Sequence, residues 1–76
     1  MYNSKIAGSF IRSAREARGF KQDYIAFKLN LSQNGYSKTE LGKSQLTLDR
    51  LFILSDILHF DISEMLMRIE VEGLKS

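Results

Sequence analysis

Apolar residues recur along the chain at helical spacing, in short blocks separated by residues that stop helices. Ile11 and Ala14, then Ile25, Ala26 and Leu29, then Leu48, Leu51, Leu54 and Leu58, then Ile62, Met65, Leu66 and Ile69 fall mostly three or four residues apart, and so line one side of successive turns. No stretch alternates with period two for long enough to predict a strand. The punctuation comes from Gly8, Gly19, Asn30, Gly35, Gly42, His59 and Gly73. Between these marks the pattern predicts helices over residues 9–18, 22–29 and 33–41, a fourth capped by Thr47 and a fifth opening at Asp61. Gly19, Asn30, Gly42 and His59 take the left-handed stop positions, which Gly fills most readily and Asn next. Ser32 caps the third helix, and Asp61 with Glu64 has capping-box spacing. Residues 71–76 read as a tail, frayed or engaged with a partner. The expected architecture is all-α: one domain over residues 1–76, with its core between 9 and 70.

Composition narrows what such a domain does. The chain has 76 residues, 43% of them apolar, with neither cysteine nor proline. Disulfides, thiolate metal sites and thiol nucleophiles are thereby excluded, and long helices are permitted. No apolar run approaches the ~18 residues that span a bilayer, and residues 1–10 lack a signal-type apolar core, so the expected location is cytoplasmic. A chain this short favours binding over catalysis. His59 is the only histidine and has no spaced carboxylate cluster, so neither a metal nor a cofactor is expected. Asp61 and Glu64 are better explained by capping than by acid–base chemistry, because no nucleophile accompanies them. The net charge of +2 hides an asymmetry: residues 1–50 carry nine Lys or Arg against four acids, and residues 51–76 two against five. A basic half joined to an acidic half suggests one surface facing a polyanion and another kept away from it.

The second and third helices are separated only by Asn30, Leu31 and Ser32, which is helix-turn-helix spacing. The outward positions of the third helix are Gln33, Asn34, Ser37 and Lys38, while Tyr36 points inward. Gln and Asn pair bidentately with adenine in the major groove, Lys reaches guanine, and Ser meets a base or a phosphate. An ordinary solvated helix would instead carry Glu–Lys pairs at four-residue spacing.

In register with these residues, the stretch from Ile11 to Leu66 resembles the phage-repressor (Cro-like, XRE-type) helix-turn-helix family. The resemblance is carried by Ile11-Arg12, Arg15, Gly19-Phe20-Lys21-Gln22, Ile25-Ala26, Leu29, Leu31-Ser32-Gln33, Tyr36-Ser37-Lys38, Glu40, Gly42, Leu46-Thr47-Leu48-Asp49-Arg50-Leu51 and Asp61-Ile62-Ser63-Glu64-Met65-Leu66. It implies a five-helix, lambda-repressor-like domain that binds double-stranded DNA with its third helix in the major groove. It further implies base contacts from Gln33, Asn34, Ser37 and Lys38, and phosphate contacts from Gln22, Ser32, Lys43 and Ser44. Arg15 and Glu40 match a structural ion pair. The chain departs from the family pattern at Lys21, where a Ser or Thr cap is usual, and at Thr39 and Leu41, near the end of the third helix. Gly35 lies inside the recognition helix, either as a variable position or to let the backbone approach DNA closely.

Family-type cores account for Ile11, Ala14, Phe20, Ile25, Ala26, Leu29, Leu31, Tyr36, Leu48, Leu51, Leu54, Leu58, Phe60, Ile62, Met65 and Leu66. The apolar surplus, which includes Phe10, Phe27 and Met67, lies mostly on the last two helices and the tail. It predicts a homodimer through Phe52, Ile53, Ile57, Met65, Ile69 and Val71, which would set two recognition helices about one DNA turn (~34 Å) apart on a palindromic operator. The residues outside the five helices leave no room for a small-molecule effector domain. Together these readings predict a transcriptional regulator. The alternative is a helical protein-interaction module, such as an antitoxin subunit, using the same apolar surface.

Overall fold

The computed structural model describes residues 4–75. The chain forms α1 (Ser4–Ala17), α2 (Gln22–Lys28), α3 (Gln33–Glu40), α4 (Leu48–Leu58) and α5 (Ile62–Lys75), and no strand occurs among the described residues. The fold is the expected all-α, five-helix one. α1 is central: it packs along α3 on one side and along α5 on another, and α2 lies against α3.

The ends of α1, α2, α3 and α4 share one motif. Gly19 and Gly42 (φ 74°), Asn30 (φ 58°) and His59 (φ 55°) each adopt the left-handed conformation within two residues of a helix end. The next residue donates its N–H back to a carbonyl one turn earlier: Phe20 to Arg15, Leu31 to Ala26, Lys43 to Lys38 and Phe60 to Ser55. This is the Schellman termination, which satisfies carbonyls that a helix end otherwise leaves open. Phe20, Leu31 and Phe60 then fold back onto the core. Helix starts are equally local. Ser32 Oγ accepts from the Gly35 N–H, Thr47 Oγ1 from Arg50 and Asp61 Oδ1 from Ser63, whereas Lys21 caps α2 with no side-chain bond.

Three expectations about element bounds are corrected. Gly8 is not a boundary: α1 starts at Ser4 and runs through it, which adds Ala7 to the core and Ile6 to its margin. A β-carbon at Gly8 would overlap the carbonyl oxygens of Thr39 and Glu40, so the glycine is there for close passage of α1 over the end of α3. At the other end of the same crossing, a β-carbon on Gly42 would lie 2.7 Å from Lys5 Cα, and Ser4 Oγ donates to the Gly42 carbonyl at 3.0 Å. α1, α2 and α3 each stop one residue early, at Ala17, Lys28 and Glu40, with Leu29 and Leu41 as the C-caps of α2 and α3. Residues 71–75 are not a frayed tail but the last turn and more of α5, since Glu, Leu and Lys are good helix formers and no proline intervenes.

The core comprises Ala7, Ile11, Ile25, Ala26, Leu29, Tyr36, Leu51, Leu54, Leu58, Met65 and Ile69, with Phe10, Ala14, Phe20, Leu31, Leu46, Ile57, Phe60 and Ile62 among those packed around it. Leu48 and Leu66, expected inside, are exposed. On α5 the inward face is set by Ile62, Met65 and Ile69, which turns Leu66 to the flank. Conversely Met65 (1% exposed) and Ile69 (5%), expected at a dimer interface, are spent inside the protomer and have no area to offer a partner. Ile57 is half-buried against the same core, and Phe10 meets Phe60 edge-to-face at 5.2 Å between ring centroids.

The crossing of α1 over α3 gives a paired stability prediction. Gly8→Ala lowers unfolding free energy by about 1–3 kcal/mol, the usual cost of overpacking. Gly73→Ala, where a β-carbon meets open space inside α5, raises it by up to ~1 kcal/mol through helix propensity. Urea unfolding of both variants checks the contrast; equal shifts would show that α1 and α3 do not approach as closely as described.

Candidate nucleic-acid interface

α3 has eight residues, too few to persist as an isolated helix, so its position depends on what holds its inner face. Tyr36, Thr39 and Glu40 form that face and are buried. The remaining side chains are thereby free: Gln33, Asn34 and Lys38 are exposed, and Ser37 is half-buried. These four are the residues that the sequence singles out for bases, and the structure puts them on the surface of one short helix.

The inner face is built around one carboxylate. Glu40 Oε2 accepts from Arg15 Nε at 2.6 Å and from the Tyr36 hydroxyl, while Oε1 accepts from Arg15 Nη2 at 3.2 Å and from Gln22 Nε2 at 2.9 Å. Four donors from three helices fill the accepting capacity of the two oxygens. Arg15 Nη1 spends a further hydrogen on the Phe20 carbonyl at 2.8 Å, which fixes the turn between α1 and α2. Burial by itself pushes the Glu40 carboxyl up; hydrogen bonds from Arg15, Tyr36 and Gln22 more than reverse this and hold it below the usual carboxylate range. The Arg15 guanidinium is raised, first by its hydrogen bond to Glu40, and the Tyr36 hydroxyl is raised by burial and then by the same carboxylate.

The residues expected to touch phosphates have different surroundings. Lys43 is exposed, three residues past the end of α3. Ser32 is exposed too, and because its oxygen only accepts from Gly35, its own hydrogen remains available to an outside acceptor. Gln22 is half-buried, tied to Glu40 through its amide nitrogen, with one N–H hydrogen left over. Ser44 Oγ lies 3.2 Å from Thr39 Oγ1. That contact explains the polar residue at position 39: its hydroxyl joins the inner face of α3 to the following loop. Gly35 has Ser32 Oγ 3.1 Å from where a β-carbon would stand, so a side chain there would crowd the cap of α3.

Sequence reasoning missed three of these links. The Gln22–Glu40 and Thr39–Ser44 bonds had no signal, because each joins residues whose types suit other roles equally well. The third is Arg18, which donates from Nε to the Leu58 carbonyl at 3.2 Å and ties the end of α1 to the end of α4. Arg12 makes only an exposed pair with Glu16, at 3.4 Å.

A family pattern described as helix-turn-helix matches residues 11–65, from the middle of α1 into α5. The chain belongs to the helix-turn-helix family. The crystal structure of the clp gene regulator ClgR from C. glutamicum is similar, with a TM-score of 0.81 over 95% of this chain and 94% of that one, at 18% sequence identity. At that identity the likeness shows the shared fold. Comparison with curated protein sequences finds no match. Within the helix-turn-helix chain, α2 and α3 are the two helices of the motif, and Asn30, Leu31 and Ser32 are its turn.

The carboxylate cluster carries a pH prediction. Because the folded state holds Glu40 below its unfolded value, its contribution is present at neutral pH. It is lost as the pH falls from about 5, where the unfolded carboxyl begins to take up protons, through the lower folded value. Wild-type stability therefore declines more steeply below about pH 5 than that of Glu40→Gln, as followed by thermal unfolding across pH 3–7. Arg15→Met leaves the carboxylate buried without its main partner and costs about 3–5 kcal/mol at pH 7. Parallel pH profiles for wild type and Glu40→Gln would show that the carboxylate does not titrate abnormally.

Proposed function

We propose that the protein is a sequence-specific DNA-binding transcriptional regulator that presents α3 to the major groove and acts as a homodimer. The observation that carries the reading is the division of α3: Tyr36, Thr39 and Glu40 are committed to the interior, and the side chains of Gln33, Asn34, Ser37 and Lys38 are left outward with no partner among the described residues. These are side chains that read base edges, with Lys and Ser also able to reach phosphates. Ser32 and Lys43 flank the helix at its two ends, where a hydroxyl and an ammonium suit the sugar–phosphate backbone. The basic balance of residues 1–50 supplies the field that brings the duplex in. A cytoplasmic location follows from this role.

The homodimer is argued from reach and from unused surface. α3 is about 12 Å long at 1.5 Å per residue, enough for only a few base pairs, which a single copy binds weakly at physiological salt. Phe52, Ile53 and Val71 are exposed, and Leu66, Met67 and Leu74 join them on α5. A pairing through these residues buries them and offers two α3 helices to a palindromic operator. The same surface would also suit a different protein chain, as in an antitoxin subunit, and the tests separate the two.

Selection of bound duplexes from a random pool is expected to return an inverted repeat with half-sites about one turn apart. On the selected site Lys38→Ala loses roughly 1–3 kcal/mol of discrimination, whereas Lys43→Ala weakens all sequences alike and reduces the salt slope by about 1. Sedimentation is expected to show a dimer for wild type and a monomer for Phe52→Glu combined with Val71→Glu. No enrichment, together with a monomer in isolation, would replace this reading with that of a module whose partner is another protein.

A further inference from the structure

Glu40 has one donor that the fold does not need for its charge. Arg15 neutralises the carboxylate, and Tyr36 satisfies Oε2 from within α3 itself. The Gln22 amide comes from outside this arrangement: it is the first residue of α2, half-buried, and its bond to Glu40 Oε1 is 2.9 Å. A glutamine at the start of a helix ordinarily turns its amide freely between two orientations that differ only in which end carries the oxygen. Beside an ionised carboxylate that freedom ends. A carboxylate only accepts, so Nε2 must face Glu40 and the amide oxygen must face away. One amide hydrogen is then used and the second is held in a single direction.

We propose that Glu40 is a positioning residue for DNA binding, one that acts through Gln22 by presenting its second amide hydrogen to a backbone phosphate. The inference rests on the DNA-binding reading above. It assigns the buried carboxylate a second role beside anchoring α3, and it makes the end of α3 and the start of α2 one unit at the duplex surface. Glu40 itself touches no nucleic acid, being 5% exposed.

The substitution Glu40→Gln tests this, because an amide at position 40 cannot accept at both ends. Its oxygen stays on the side of the shorter contacts, where Arg15 Nε (2.6 Å) and the Tyr36 hydroxyl donate, so its NH2 takes the Oε1 place and faces both Arg15 Nη2, the longer of the two guanidinium contacts at 3.2 Å, and the nitrogen of Gln22. Two donors then oppose each other, and Gln22 turns over, putting its oxygen toward residue 40 and losing the set direction of its hydrogen.

The experiment is a double-substitution cycle of Gln22→Ala and Glu40→Gln, read as affinity for a short random-sequence duplex at low salt, at a temperature where circular dichroism shows every variant folded. Gln22→Ala is expected to cost about tenfold in the wild-type background, the scale of a hydrogen bond to a charged group, and less than about twofold in the Glu40→Gln background. The same tenfold loss in both backgrounds would overturn the proposal, since a carboxylate with only a structural role leaves the contribution of Gln22 unchanged. Should Glu40→Gln not fold, the wild-type protein decides by nuclear magnetic resonance of the Gln22 side-chain amide. One proton is expected to couple through its hydrogen bond to the Glu40 carboxylate carbon, with and without duplex, while the other shifts downfield when duplex is added. Binding of the duplex with neither amide proton responding would overturn the proposal and leave the DNA-binding reading standing. No binding to any duplex would remove both.

Discussion

A buried carboxylate is costly unless every lone pair finds a donor, and in this protein that requirement organises three of the five helices. Glu40 closes α3; its donors are Arg15 from α1, Gln22 from α2 and Tyr36 one turn back in α3. Apolar packing tolerates small rotations and slides of one helix over another. Four directed bonds to two oxygens do not, so the cluster sets the angle of α2 and α3 to α1 more narrowly than Ile11, Ile25 and Tyr36 would by contact alone. That precision counts most for α3, which is too short to hold itself and whose outward side chains are useful only if their direction is fixed.

The directed bonds need the helices close, and two glycines permit it. With Gly8 against the carbonyls of Thr39 and Glu40, and Gly42 against the backbone of Lys5, α1 crosses the end of α3 nearly backbone to backbone. The approach brings the Arg15 guanidinium, two turns further along α1, within 2.6 Å of Glu40. A small domain has limited apolar area to bury, and steric closeness at one crossing combined with charge at the next compensates for it.

What could be read from the sequence follows from how local each cause is. The Schellman ends at Gly19, Asn30, Gly42 and His59 were legible because positive φ restricts the residue type at the position itself, and the caps at Ser32, Thr47 and Asp61 because the bond spans two or three residues. The outward face of α3 was legible for the same reason, as a departure from ordinary helix-surface composition. Gly8 was not, since a glycine that ends a helix and one that lets another helix pass are the same letter; only the position of α3 distinguishes them. The exchange of Leu66 for Ile69 in the core came from helix phase. Both fit an apolar stripe drawn from Ile62, and the choice depends on how α5 is rolled against α1, which is a tertiary fact. Gln22–Glu40 and Thr39–Ser44 lay beyond reach because a side chain suited to a phosphate is equally suited to a buried acceptor.

Those two bonds separate the candidate interface into parts under different constraints. Among the described residues the side chains of Gln33, Asn34, Ser37 and Lys38 support nothing behind them, so substitutions there change the surface at little cost to the fold. Gln22 and Ser44 are fastened to Glu40 and Thr39, both buried, so changes there reach the inner face of α3. Phosphates sit at the same places on every duplex of one geometry, whereas the bases differ. On the proposed DNA-binding reading, rigid backbone contacts share structure with the core and base contacts share none: Gln22 and Ser44 meet the first condition, Gln33, Asn34, Ser37 and Lys38 the second, while Ser32 and Lys43 stand exposed at the two ends of α3 without a bond to the core.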